Sequence, residues 1–583
     1  MRTVEQQQRQ RILQPQVRRA LQGTGGGPRP RRAPEDHQRD AADRVRRPPV
    51  RRAGLPERDR GAHAEVDGLP ALATRRIGEQ PLDANPAPGA PGLMTDASMA
   101  RCSPEEFDKT LARHRDVDVV VGLFSDAGGV RGGRGAAVVR DALGVDVVEL
   151  ATIDPEFDGS PAARSVVMVQ APSGPVRIVL VGLGARVESP HTLFDAALCA
   201  KPTRAVVSTL ALEADGALGA VAQGHAIGAW RYRQERDAPS QPAPLELLDD
   251  SAVDAEPVLA RAAVVARATG WVRQLVEMPP NTLSPSTFAE SVTTFAGEVA
   301  PGTVTVDTWD EPTLRARGFG GTLGVGAGSA NPPLVVELRI AGEGSPTALA
   351  GKGITFDSGG INLKRDVGEL SWMKSDMAAA ASVAAAVIAA AALGRTAPVV
   401  ALLPVAENMP GPSALRPGDV VSHPGGRTTE VLDTDCEGRL VLADALGWLA
   451  GQGPSHLIDV GTLTDSGAVG PAFWGCWATS DELASAVVDA GSRAHDRGWA
   501  LPLHPSYVSM LPSRVADIAN ASPDAPDSGQ LAATYLRTFV GEVPWVHIDN
   551  GSAAWLERDA SPWPAGATGT PVRALIEFLY PSP

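Results

Sequence analysis

The sequence predicts an α/β protein of two domains, the second built on a mixed, largely parallel sheet, and three observations carry that reading. Short β-branched runs recur between apolar helical stretches, the pattern of strands alternating with helices. Two such alternations flank a helix expected at 253–276, which Pro279-Pro280 must end because paired prolines remove donors and forbid continuation. At 583 residues the chain is also long enough for two or three separate cores.

In chain order, residues 1–98 stand apart. They are rich in Arg, Pro and Gln and hold no aromatic and no lysine. Too little apolar surface is present to offset chain entropy, so a disordered tail is expected. It reads as a solvated tail, or as sequence upstream of a true start at Met94 or Met99, rather than as a nucleic-acid arm, because its basic residues show no helical stripe and no interleaved aromatics. A smaller α/β domain follows at 99–252, with strands expected at 117–123, 145–150, 165–169 and 176–184 and a helix near 193–200. It holds no ionisable cluster, which points to regulation or assembly rather than chemistry. The larger domain, 277–583, has strands expected at 334–340, 348–350, 399–404, 456–460 and 545–548, and helices at 377–393 and 440–449.

Composition narrows the function. A net charge of −15 and a pI near 5.2 argue against general affinity for nucleic acid or anionic membrane and fit a cytoplasmic protein. Four scattered cysteines form no CxxC pair, so neither a disulfide framework nor a thiolate zinc site is indicated. The N-terminus lacks the apolar core of a signal peptide, and no export is expected. The one long apolar stretch, 377–393, is alanine-rich and reads as a packed helix rather than a membrane span.

Chemistry concentrates between residues 351 and 442. Gly351-Lys352-Gly353-Ile354-Thr355-Phe356-Asp357-Ser358-Gly359-Gly360 leads past Lys364 and Asp376 to Asp433-Thr434-Asp435-Cys436-Glu437-Gly438-Arg439-Leu440. Ligands in open parallel sheets gather at the carboxyl ends of strands. Lys352 and Asp357 follow a strand, Asp376 precedes one helix, and Asp435 and Glu437 precede another, so all five should share one rim. Buried charges need partners or metal. Two dications would nearly balance Asp357, Asp376, Asp435 and Glu437, and oxygen and nitrogen ligands favour zinc, manganese, magnesium or cobalt. No HExxH is present. Lys352 can ligate only as a neutral amine, and lowering its pKa from about 10.4 to about 7 costs roughly 4 to 5 kcal/mol, which a coordinated dication can supply. Lys364 would stay protonated and face a reacting carbonyl. Arg439 offers a planar fork for an anion or the substrate. The plainer readings make Asp376 and Asp435 helix caps and Gly359-Gly360 a turn; they do not explain why two lysines, four carboxylates and an arginine coincide.

These motifs resemble the leucyl aminopeptidase family of two-metal peptidases. Shorter echoes are Asn281 to Ala289, Ala406-Glu407-Asn408-Met409, Arg416-Pro417-Gly418-Asp419, Gly461-Thr462-Leu463-Thr464, Trp545-Val546-His547-Ile548-Asp549 and Gly566-Ala567-Thr568-Gly569. The resemblance covers residues 260–583 well and 116–250 faintly. It implies a macro-like N-terminal domain and a hydrolase that removes the N-terminal residue of peptides. Asp357 and Glu437 would bridge two divalent ions (Mn or Zn), Lys352 and Asp376 would complete the tighter site, and Asp435 the more exchangeable one. A bridging hydroxide would attack, Lys364 would polarise the carbonyl, and Arg439 would hold a bicarbonate ion acting as general base. A homohexamer with sites facing an inner cavity is also implied.

Departures are visible. The stretch from Lys364 to Asp376 is one residue longer than the family's usual spacing. Cys436 stands where alanine is usual, Asp433 where asparagine is usual, and Asp465 follows Thr462-Leu463-Thr464 where glycine is usual. With Met373 and Thr462, these acids are expected near the pocket for the first side chain, where they would favour Lys or Arg over Leu. The alternatives are a DNA-binding or scaffold member of the same fold with weak or no peptidase activity, or a different two-metal hydrolase.

Overall fold

Two sets of β-branched runs lay down two sheets. The computed structural model describes residues 98–582 apart from 115, 172–173, 188, 233–242 and 524–526. The expected tail at 1–98 lies, but for its last residue, outside the described residues. The first sheet has seven strands: β1 (Met99–Cys102), β2 (Val117–Asp126), β3 (Gly129–Gly132), β4 (Arg164–Ala171), β5 (Gly174–Gly184), β6 (Ala205–Ser208) and β7 (Leu245–Leu248). Their order is β1-β7-β6-β2-β5-β4, with β3 on the end of β2. The central pairings are parallel, and β4 and β3 run antiparallel to their neighbours.

The alternation of β2 explains its run of valines. Val119, Val121 and Leu123 pack on one face with Val139 and Leu143 of the helix Arg134–Leu143. Val120 packs on the other with Leu193, Ala197 and Val221 from the helices Pro190–Cys199 and Leu218–Ala229. A strand covered on both sides is apolar at nearly every position. One expectation fails here: 145–150 is not a strand. Asp146 accepts hydrogen bonds from the backbone N–H of Val148 and Glu149 and caps a short helix, Val147–Ala151. The local cap overrides the β-branched pair it precedes.

The helix Ala255–Glu277 starts on the Asp254 cap and stops before Pro279. It is pinned to both sides by Arg273, whose Nη1 donates to Ile227 O at 3.0 Å and whose Nε donates to Ala567 O at 2.7 Å.

The second sheet uses β8 (Thr305–Trp309), β9 (Leu334–Ile340), β10 (Thr347–Gly351), β11 (Gly353–Asp357), β12 (Val399–Asn408), β15 (His456–Gly461), β16 (Trp474–Ala478), β17 (Gly498–Ala500) and β19 (Trp545–Asp549). A small sheet, β13 (Val420–Ser422), β14 (Thr428–Glu430) and β18 (Ile518–Ala519), lies apart from it. The main order is β17-β16-β19-β15-β10-β12-β9-β8, with β11 beside the end of β12. Its centre, β19-β15-β10-β12, is parallel. The helix Ala378–Ala392 packs into the core on one face, and Glu437–Ala450 belongs to the core on the other. Small alanine side chains bring the first of these close against the sheet. The stretch 367–392 is long and apolar enough to cross a membrane, but its most apolar part is almost wholly buried inside the protein, so it belongs to the core. Lys352, Asp357, Asn408, Thr462 and Asp549 all fall at or just past the carboxyl ends of neighbouring strands, where a ligand site is expected.

Candidate metal centre

The rim brings the expected charges together. Lys352 follows the last residue of β10, and its Nζ lies 2.8 Å from Asp376 Oδ2 and 2.8 Å from Glu437 Oε1 while donating to Thr462 O at 2.8 Å. Lys364 Nζ lies 3.0 Å from Asp357 Oδ2 and 2.7 Å from Asp435 Oδ1. Asp357, Asp435 and Glu437 each present an oxygen within 4.8 Å of the other two. Thus four carboxylates face two ammonium groups, and the cluster carries more buried negative than positive charge.

The acids and bases report that excess in the same direction. Burial pushes the Asp435 carboxyl up to about 7, with Asp357 adding repulsion and Lys364 pulling back. Glu437 is raised by burial and by Asp357, and Asp376 is raised well above its usual range, chiefly by burial. Burial pulls both lysines down, yet their carboxylate neighbours outweigh it, and each holds its proton more tightly than usual. Among the chain's own groups Lys352 is therefore an ammonium rather than the neutral amine expected of a ligand. Becoming one requires a cation beside it strong enough to displace that proton.

Neither aspartate is the N-cap of the helix that follows it. The residues at the cap positions are Met377 and Cys436, and neither makes a side-chain capping bond. The Gly359-Gly360 pair is a turn with a purpose: both have positive φ, and a Cβ on Gly360 would stand 2.7 Å from Asn408 Oδ1. The turn brings Gly359 N to Asp357 Oδ1 at 2.9 Å.

The residues suit a divalent ion. Asp376 Oδ2 and Asp435 Oδ1 are buried and accept no hydrogen bond of proper geometry, although an ammonium lies within 2.8 Å of each. Oxygen donors crowded in this way, with no cysteine or histidine among them, match hard dications.

Other expected residues are placed differently. Arg439 is buried at the first turn of its helix, where Nη1 donates to Asn520 O at 2.8 Å. Met373 is buried in the turn before Asp376. Thr462 Oγ1 donates to Asp376 Oδ1 at 2.7 Å and so orients that carboxylate. Asp433 is half-buried, with Oδ1 accepting from Asp435 N at 2.9 Å, and Asp465 is exposed.

Four supporting residues had no assigned role in the sequence. Asn408, last in β12, donates to Asp357 Oδ1 at 2.8 Å and to Thr434 O at 2.9 Å. Thr434 Oγ1 donates to Gly359 O at 2.7 Å, tying the two motif loops together. Asn520 holds the same loop through Leu432 N at 2.8 Å and Asp433 O at 2.7 Å. Asp549 accepts from Thr464 Oγ1 at 2.6 Å and steadies the loop after β15. Asn408 was visible as the polar end of an apolar run and within the echo Ala406-Glu407-Asn408-Met409, though with no role attached. Asn520 left no such sign.

The profile described as "Cytosol aminopeptidase family, catalytic domain" matches residues 270–576. The probable cytosol aminopeptidase of Micrococcus luteus is 41% identical over 401 residues, covering 65% of this chain and 78% of that protein. The probable cytosol aminopeptidase of Rhodococcus opacus is 36% identical over 495 residues, covering 81% of this chain and 95% of that protein. Among solved structures, the bottromycin maturation enzyme BotP in complex with Mn superposes with a TM-score of 0.68 at 35% identity, over 80% of this chain and 99% of that one. With its acid-rich rim and matches of this extent, the chain belongs to the cytosol aminopeptidase family and is a metal-dependent aminopeptidase.

Proposed function

We propose that two divalent ions, Mn or Zn, work at this rim, held by Lys352, Asp357, Asp376, Asp435 and Glu437. The observation that carries the proposal is the excess of buried carboxylate over ammonium, with two carboxylate oxygens left without proper donors. Bound there, the ions would supply Lewis-acid polarisation and activated water. The residues do the rest. Glu437 and Asp357 set the spacing of the donors, and Asn408 keeps Asp357 turned inward. Lys364, protonated and nearly buried, offsets negative charge growing on the scissile carbonyl oxygen. Arg439, in the first turn of its helix, would hold a bicarbonate ion, which would supply a general base. The substrates are peptides with a free N-terminus, the assembly is a homohexamer, and the location is the cytoplasm.

Release of free amino acid from a dipeptide by the loaded chain, abolished by chelation, tests this reading together with metal analysis. Fewer than two ions per chain overturns it. Met373 and Thr462 border the first-residue pocket in the same proposal, and the exposed Asp465 with Asp433 tilts it toward Lys and Arg. Leu-, Arg- and Lys-anilides assayed side by side check that, and a clear leucine preference refutes it.

A further inference from the structure

A second charged cluster lies where the helix Pro190–Cys199 of the first sheet meets segments 471–474, 495–497 and 553–573. A cavity of about 120 Å³ opens there. At ~30 Å³ per water it holds the equivalent of about four waters, far below the ~300–1,000 Å³ of drug-sized pockets. Only a small molecule fits.

Its lining carries two arginines and two aspartates, of which only Arg573 and Asp496 pair, and loosely, with Nη2 3.9 Å from Asp496 Oδ1. Arg573 is 3% exposed. Its guanidinium is fixed by Nη2 donating to His495 O at 2.8 Å and by stacking over Phe194 at 4.8 Å, while Nη1 is buried with no hydrogen-bond partner. Arg497, exposed at the edge, leans over Phe473 at 5.3 Å. Asp195 also lines the cavity and, among the described residues, has no cationic group within ion-pair distance. His191 and His495 share a hydrogen bond between their Nδ1 atoms at 2.7 Å, one ring donating to the other. Burial lowers the pKa of His191 and takes His495 down to about 3, so neither adds a charge near neutral pH.

A simple anion would answer Arg497 and the unpartnered Nη1 of Arg573 and leave Asp195 repelled. A simple cation would do the reverse. A compact molecule with both charges satisfies both, and its apolar part meets Trp563 and Phe473. We propose that this cavity is a second ligand site, separate from the metal rim, that takes a small α-amino acid, with its carboxylate on Arg573 and Arg497 and its ammonium on Asp195. The product class released by an aminopeptidase would then contact both sheet-bearing parts of the chain.

Equilibrium dialysis of labelled L-alanine against the full, manganese-loaded chain tests this. The Glu437→Ala chain, disabled at the rim, should still bind one L-alanine. Asp195→Asn and, separately, Arg497→Ala should weaken that binding by about tenfold or more, with Tm and dipeptide hydrolysis unchanged. Loss of all binding in Glu437→Ala, no effect of either cavity variant, displacement by acetate as effective as by L-alanine, or no saturable binding in the millimolar range would each overturn the proposal. Dipeptide hydrolysis by the parent chain scores the peptidase reading on its own.

Discussion

The two sheets handle buried carboxylates in opposite ways. On β2 of the first sheet, Asp118 is 1% exposed and meets two arginines, Arg177 at 2.9 Å and Arg204 at 3.6 Å. Glu246 on β7 likewise faces Arg113 at 3.6 Å and His114 at 3.4 Å. There each acid meets at least one arginine of its own chain. At the rim of the second sheet the count is reversed, with four acids to two lysines. A buried acid that its own chain neutralises is architecture. One left in excess asks for a cation from outside.

The largest expected effect breaks that contrast at the rim. Glu437→Ala should lower dipeptide turnover by ~10³-fold or more, measured as free amino acid released, and reduce the ions bound per chain. Unchanged turnover would place the chemistry elsewhere. Asn408→Ala touches no substrate, but it removes the donor that orients Asp357. Outer-shell losses of this kind cost ~10–100-fold in metal affinity, which chelator competition reads directly.

Loading with manganese sharpens the contrast without mutation. At a free ion concentration about 100 times the Kd, stability should rise by about 2.7 kcal/mol for each ion bound, seen as a higher Tm. Asp118→Asn should leave that increment intact and Glu437→Ala should shrink it. Equal shrinkage in both variants would erase the distinction between the sheets.

The mildest test concerns the first sheet alone. His225 is fully buried and donates or accepts at Ser208 Oγ, 2.8 Å away, and burial lowers its pKa to about 3. The unfolded chain takes up a proton below about 6.5, whereas the folded chain does not until about 3. This contribution is therefore complete above pH 6.5 and is lost as pH falls, by about 2 kcal/mol between pH 7 and 5. Denaturant melts at those two values should show the loss, and His225→Gln should flatten it.

Much of this was legible because it is local. Strand 334–340 was expected at the bounds it has, since five of the seven residues of β9 are apolar and three of them are β-branched. The helix before Pro279 was expected at 253–276 and runs Ala255–Glu277. The six charges of the rim were visible because glycine-lined motifs place them at strand and helix ends. The error at 145–150 came from weighing valines above the Asp146 cap.

What the sequence determined by itself was the alternation of elements and the types of charge gathered in two short motifs, because periodicity and chemistry are properties of neighbouring residues. Only the tertiary structure decided that Lys352 bridges Asp376 and Glu437, that Asn520 grips a loop nearly ninety residues away, and that Asp433 turns inward to its own backbone. Those pairings are set by how the two motif loops, β15 and β18 meet at the ends of separate strands, and distance along the chain carries no record of it.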